Sequence, residues 1–213
     1  MNVTSIVKKD SKNVVVHFDN DEVLFLSADV FFKSGLTKND EVSDDRFSFL
    51  VKENKLFHIK QRAFGYLSRR QHSTSEIRIK LRQKGYETEL ITEILEDLLK
   101  NNYLHDLEFA KLYTEEKKKT KLWGRNKIKS ELIKKGLKSD IIKEVMSEYL
   151  NEDIEYDNAL ITARKKYNLL KPRVADKKSL KQKLISFLNG RGYNYEIAGK
   201  VCDELINDND YLE

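Results

Sequence analysis

The segment Ile77-Arg78-Ile79-Lys80-Leu81-Arg82-Gln83-Lys84-Gly85-Tyr86 is the first of three copies of one pattern, and its glycine serves as the origin for all of them. Eight residues before Gly85, Gly136 and Gly192 stand Ile77, Ile128 and Leu184, and four before them stand Leu81, Leu132 and Leu188. One residue after come Tyr86, Leu137 and Tyr193; five after, Leu90, Ile141 and Ile197; nine after, Ile94, Val145 and Val201. At thirteen after stand Leu98, Tyr149 and Leu205, and no copy needs a gap.

Apolar residues four apart share one face of a helix, and a glycine suits the left-handed residue that ends one. The offsets five, nine and thirteen then form the stripe of a second helix. Thr88 and Ser139 are placed as its N-caps, with Asn194 one position earlier in the third copy. Ser73 and Glu76 have the spacing of a capping box for the helix before Gly85. Each window follows another amphipathic segment: Ile59, Ala63, Phe64 and Leu67; Phe109, Ala110, Leu112 and Tyr113; Ile154, Ala159, Ile161 and Tyr167. With glycine spacings of 51 and 56, this predicts an all-α tandem array of three three-helix repeats. An elongated, curved body is expected, each repeat burying one face on its neighbour.

Residues before the repeats have a different texture. Val3–Val7, Asn13–Phe18 and Glu22–Leu26 are β-branched or aromatic runs split by polar turns, which predicts a small N-terminal antiparallel β appendage. Ser27 can cap a short helix carrying Val30, Phe31 and Phe32 to a stop at Gly35, and a long helical pattern runs from about Asp44 into the seventies. The predicted organisation is a β-rich region over 1–43, a linking helix with the first repeat over 44–104, the second repeat over 105–151 and the third over 152–213.

The 213 residues are 39% hydrophobic and 35% charged, and a 10% aromatic share argues against disorder. One proline, Pro172, and eight glycines leave few helix breakers. Cys202 is the single cysteine, so an intramolecular disulfide is excluded. Lys8, Lys9 and Asp10 stand where a signal peptide needs its apolar stretch, and a cytoplasmic protein is expected. Val23–Phe32 is interrupted by Ser27 and Asp29 and is far short of the roughly 20 residues of a spanning helix, so no membrane segment is predicted.

Charge is unevenly spread. Residues 1–58 hold 8 basic and 10 acidic groups, and residues 59–213 hold 32 and 25. Within each copy the helix before the glycine is basic and the helix after it acidic: residues 60–84 carry 8 bases against Glu76 alone, while 87–97 carry 5 acids and no base. Residues 117–138 and 140–157 repeat this, as do 164–183 and 203–213. One before the glycine stand Lys84, Lys135 and Arg191; twelve after it stand Asp97, Glu148 and Glu204. On one account these charges complement helix dipoles and pair with neighbours. On the other they form a segmented basic stripe suited to phosphate or an acidic protein surface. An acidic post-turn helix is repelled by DNA, which disfavours sequence-specific duplex reading in the helix-turn-helix manner.

Catalytic signals are thin. His17, His58, His72 and His105 with Cys202 show no zinc-ligand spacing, no glycine-rich phosphate loop is present, and no Ser, Cys or His stands out as an activated nucleophile. No enzyme activity, cofactor or metal is expected. Trp123, beside Gly124 and Arg125, reads as either a core residue or an interface anchor.

Three blocks carry a resemblance: Ser75-Glu76-Ile77-Arg78-Ile79-Lys80-Leu81-Arg82-Gln83-Lys84-Gly85-Tyr86, Tyr103-Leu104-His105-Asp106-Leu107-Glu108-Phe109-Ala110, and Gly124-Arg125-Asn126-Lys127-Ile128-Lys129-Ser130-Glu131-Leu132-Ile133-Lys134-Lys135-Gly136. Over about Ile59 to Ile206 the chain resembles the RecX family, bacterial regulators of the RecA recombinase. Where that family has two acids before Phe-Ala, this chain has His105-Asp106. The resemblance implies a cytoplasmic, monomeric, non-catalytic protein of homologous recombination and the SOS response. It implies binding in the groove of the RecA filament on single-stranded DNA, with inhibition of ATPase, strand exchange and coprotease activity. The alternative is a stand-alone nucleic-acid-binding repeat protein that does not require RecA. The contact candidates are Arg69, Arg70, Arg78, Lys80, Arg82 and Lys84 in the first repeat, and Trp123, Arg125, Lys127, Lys129, Lys134 and Lys135 in the second, facing either RecA or DNA.

Overall fold

A computed structural model describes residues 1–207; Asp208, Asp210 and Glu213, three of the five acids in the last acidic segment, lie outside them. The chain divides into two compact units, residues 1–71 with 77–103, and residues 72–76 with those from 104 onward.

In the first unit, β1 (Val3–Lys8), β2 (Asn13–Phe18) and β3 (Val23–Ser27) form an antiparallel sheet in sequence order. Val16 of β2 pairs with Ile6 on one side and Leu24 on the other. The period-two pattern turns Val14, Val16 and Phe18 inward, where they join Leu24, Leu26 and Val30 in one buried cluster. Ser27 caps α1 (Ala28–Ser34) by accepting from the Val30 N–H, and Gly35 ends it at φ 65°. Ser43 caps α2 (Asp44–Leu67), whose Leu50 is buried in the sheet's cluster with Phe47, Val51 and Phe57 packed alongside. Farther along α2, Ile59 and Ala63 are fully buried, and this stretch packs against α4 (Thr88–Lys100). Between them runs α3 (Thr74–Arg82), with Ile77 and Leu81 fully buried.

The long helix predicted to reach the seventies stops at Leu67. Residues 68–73 offer no aliphatic side chain to bury, and a new helix is nucleated by the Ser73–Glu76 box: the Glu76 N–H donates to Ser73 Oγ at 3.1 Å and the Ser73 N–H to Glu76 Oε2 at 3.2 Å.

The second unit contains α5 (Asp106–Lys121), α6 (Arg125–Lys134), α7 (Ser139–Tyr149), α8 (Glu152–Leu170), a 3₁₀ turn at Lys171–Arg173, α9 (Lys177–Gly190) and α10 (Tyr195–Asn207). It holds two apolar cores, one built on Phe109, Ile128, Leu132, Val145 and Leu150, the other on Ala159, Leu184, Leu188, Tyr193 and Val201. Gly85, Gly136 and Gly192 adopt φ of 81°, 72° and 95°, the left-handed stop that their place in the repeat demands. The residue two beyond each glycine, Glu87, Lys138 or Asn194, precedes the following helix in all three copies. Asn194 accepts from the Ile197 N–H at 2.7 Å, whereas Glu87 and Lys138 make no side-chain cap. Thr88 and Ser139 therefore lie one residue inside their helices and are not the caps they were expected to be. The turn geometry is common to the copies, and only the third has a capping side chain at that position.

Candidate interaction surface

The acid twelve residues after each glycine turns back onto the first helix of its own copy. Asp97 pairs with Lys60 of α2 at 2.5 Å, Glu148 with Lys111 of α5 at 3.0 Å, and Glu204 accepts from the Tyr156 hydroxyl of α8. On α2, Lys52 and Lys55 also reach Glu93 and Glu87, both at 2.8 Å. Lys181 of α9 pairs with Asp203. Much of the acidic character of the post-glycine helices is answered inside the copy, and in the first two copies the answering base is on the first helix, leaving the middle helix's bases for other partners.

In the first unit, Arg69 and Arg70 are exposed just past the end of α2. On α3, Arg78 donates to Thr92 Oγ1 at 3.2 Å, and Lys80 lies 5.0 Å from the centre of the Tyr66 ring. Arg82 and Lys84 are exposed and, among the described residues, meet no carboxylate. Arg69 lines an open cleft of about 320 Å³ with His58, Arg62, Tyr66 and Tyr86. The sequence reading missed His58, Arg62, Tyr66 and Tyr86. Their signal was the four-residue spacing of His58, Arg62 and Tyr66 along α2, outside the glycine windows.

In the second unit the α6 candidates separate. The Arg125 side chain donates to Glu155 Oε2 at 3.1 Å and to the Leu150 carbonyl, while its backbone N–H donates to Glu155 Oε1 at 2.7 Å. Lys135 pairs with Glu76 at 2.9 Å and lies over the Tyr113 and Phe109 rings at 4.9 and 5.6 Å. Both cations are engaged by groups within the fold. Lys127 and Lys134 flank Glu131 on the outward face, at 4.0 and 2.9 Å, and the Lys134 bond holds the Glu131 carboxyl below the usual carboxylate range. Lys129 is exposed on the opposite flank of the helix and meets no carboxylate among the described residues. Trp123 is half-buried against the second-repeat core, with Lys127 5.7 Å from its ring centre. Burial, with Glu131, Glu116 and Glu76 nearby, pushes the Tyr113 phenol up to about 12.

Helix starts in the second unit are closed by the next copy. The Thr74 N–H, opening α3, donates to Asp106 Oδ1 at 2.8 Å, and Ser73 Oγ donates to the Lys135 carbonyl at 2.7 Å. One copy later, the Arg125 N–H opening α6 is met by Glu155, and the Gly124 and Asn126 N–H groups donate to the Arg191 and Gly192 carbonyls at 3.0 and 2.9 Å. Asp106 and Glu155 thus do one job in successive copies, satisfying a first-turn donor that has no partner inside its own helix. Among the described residues no group of three His, Cys, Asp or Glu side chains could hold a metal ion, and no helix is long and apolar enough to cross a membrane.

This threefold geometry is matched by family models. The first, second and third three-helix domains of RecX match residues 60–98, 106–146 and 153–202. The chain belongs to the RecX family. The regulatory protein RecX of Clostridium perfringens strain SM101 is 34% identical over 213 residues, covering 99% of each chain, and that of Listeria innocua is 32% identical over all of this chain and 79% of the relative. A crystal structure of a regulatory protein RecX superposes with a TM-score of 0.77 at 19% identity, covering 95% of this chain and 98% of that one. RecX from Lactobacillus salivarius gives 0.64 at 23% identity, covering 72% and 97%. RecX is a family of regulatory proteins.

Proposed function

We propose that this chain is a non-catalytic regulator that binds the RecA filament on single-stranded DNA and lowers its ATPase, strand-exchange and coprotease activities. Family membership along the whole chain gives the direction. The observation that carries the proposal is an outward excess of cations: Arg69, Arg82, Lys84 and Lys129 meet no carboxylate among the described residues, and Lys127 and Lys134 share the single carboxylate of Glu131. Uncompensated surface cations steer a polyanionic or acidic partner and are held without cost to the fold.

The test is RecA on single-stranded DNA, followed by its ATP hydrolysis as the protein is added at up to equal ratio. Wild type should inhibit. The triple variant Lys127→Glu, Lys129→Glu, Lys134→Glu should remain folded and inhibit about tenfold less well, and inhibition should weaken as salt rises. Absence of inhibition by wild type would overturn the proposal. A second reading, nucleic-acid binding without RecA, is favoured by the cleft of Arg62, Arg69, Tyr66 and Tyr86, since arginines beside half-buried aromatic rings suit phosphate and base together.

A further inference from the structure

Within the second unit, a pocket of about 540 Å³ opens where the end of α5 meets α8 and α9. Its lining includes Lys121, Lys165, Lys166 and Arg191 and no acidic residue. None of these four was among the contact candidates. Leu122, Leu169 and Phe187 supply its apolar wall. We infer that this pocket binds a phosphate-bearing ligand, a nucleotide free or within a single strand, independently of RecA.

Donors and acceptors decide the class of ligand. Backbone carbonyls at the rim each accept one bond from within the fold: Lys121 O from Arg191 Nη1 at 3.1 Å, and Leu122 O from the Tyr193 hydroxyl at 2.7 Å. The Thr120 hydroxyl is committed to the Glu116 carbonyl at 2.7 Å. The buried Thr162 hydroxyl lies near that of Tyr193 without completing a hydrogen bond of normal geometry. What remains is four cationic side chains with no carboxylate among the lining residues. A neutral peptide brings no charge to answer them, so an anion is the ligand they fit. A phosphate brings acceptors only, and the nucleoside attached to it has the apolar surface that Leu122 and Leu169 can cover.

The backbone is held for this task. Leu122 sits at φ 48°, ψ 52°, a left-handed conformation unfavourable for a leucine that its bonds to Tyr193 and Lys117 maintain. Lys166 and Arg191 lie 5.5 and 5.4 Å from the Phe187 ring centre, which fixes two of the four cations at the pocket wall. Site volume is within the range of small-molecule pockets, roughly 300–1,000 Å³.

The experiment uses the full chain without RecA and reads the anisotropy of a labelled oligothymidylate and of a fluorescent ATP analogue. Lys121 and Lys165 are exposed, so Lys121→Glu with Lys165→Glu should melt as wild type does. It should weaken binding about tenfold, and Thr162→Val about threefold. Inorganic pyrophosphate should displace either probe. Loss of strand binding in the variant assigns the phosphate to nucleic acid; loss confined to the ATP analogue assigns it to free nucleotide. Equal binding of both probes by variant and wild type would overturn the inference, as would displacement by polyglutamate but not by pyrophosphate. RecA ATPase inhibition, measured separately, fails or survives on its own.

Discussion

Glu155, at 5% side-chain exposure, receives both the backbone N–H and the guanidinium of Arg125, a residue 42% exposed on the neighbouring copy. One carboxylate closes a helix start and binds one copy to the next. Glu155→Ala leaves an N–H and a guanidinium without acceptor, and a loss of about 2–3 kcal/mol is expected. Arg125→Ala should cost a similar amount, and the double variant little more than either, because the two residues form one interaction. Thermal unfolding of the three variants checks this; additive losses would disprove the coupling.

The three repeat glycines share a conformation but differ in what surrounds them. A Cβ on Gly85 meets nothing within 4 Å, so Gly85→Ala should cost only the left-handed penalty of about 1 kcal/mol. A Cβ on Gly136 would stand 2.3 Å from Ser75 Oγ, and on Gly192 2.3 Å from the Lys127 backbone N. Gly192→Ala should be the worst of the three, since backbone cannot step aside, and melting temperatures should fall in the order Gly85, Gly136, Gly192.

Lys135 and Lys129 look alike in the sequence and differ in the fold. Lys135→Glu places a second carboxylate beside Glu76 and strips a cation from Tyr113, so a loss of about 2 kcal/mol is expected, with Lys129→Glu within about 0.5 kcal/mol of wild type. Chemical denaturation of the two variants decides it.

Tyr193 gives a high-pH signature. Burial pushes its phenol up to about 12, above the ordinary value of 10.0. A raised folded pKa means that its share of stability is complete below pH 10 and is lost as pH climbs toward 12. Tyr193→Phe should be less stable than wild type near neutrality, through loss of the bond to Leu122, and the gap should narrow across that window. A gap constant from pH 9 to pH 12 would contradict the assignment.

The parts that the sequence made legible are those governed by local rules. Ile77 and Leu81 with Gly85, and their two echoes, specify an apolar face and a left-handed stop within a few residues. The Ser73–Glu76 box and the Asn194 cap are legible for the same reason. What escaped were contacts across long separations: Asp106 with Thr74 is 32 residues apart and Arg125 with Glu155 is 30. Charge type alone could not sort Lys129 from Lys135, because the difference is whether Glu76 and two aromatic rings stand opposite. Arg125 likewise reads as a surface cation until Glu155 is placed against it.

The third copy departs from this scheme at one point. Its middle helix, α9, is capped by its own Asp176, which accepts from the Ser179 N–H at 2.8 Å, where the earlier copies take a carboxylate from the copy that follows. The linkage between copies therefore has a direction. Excising the first copy would leave the Thr74 N–H, and excising the second the Arg125 N–H, without its carboxylate, whereas the third copy supplies its own. A carboxylate supplied by a further copy fused behind it would meet a helix start that Asp176 already caps.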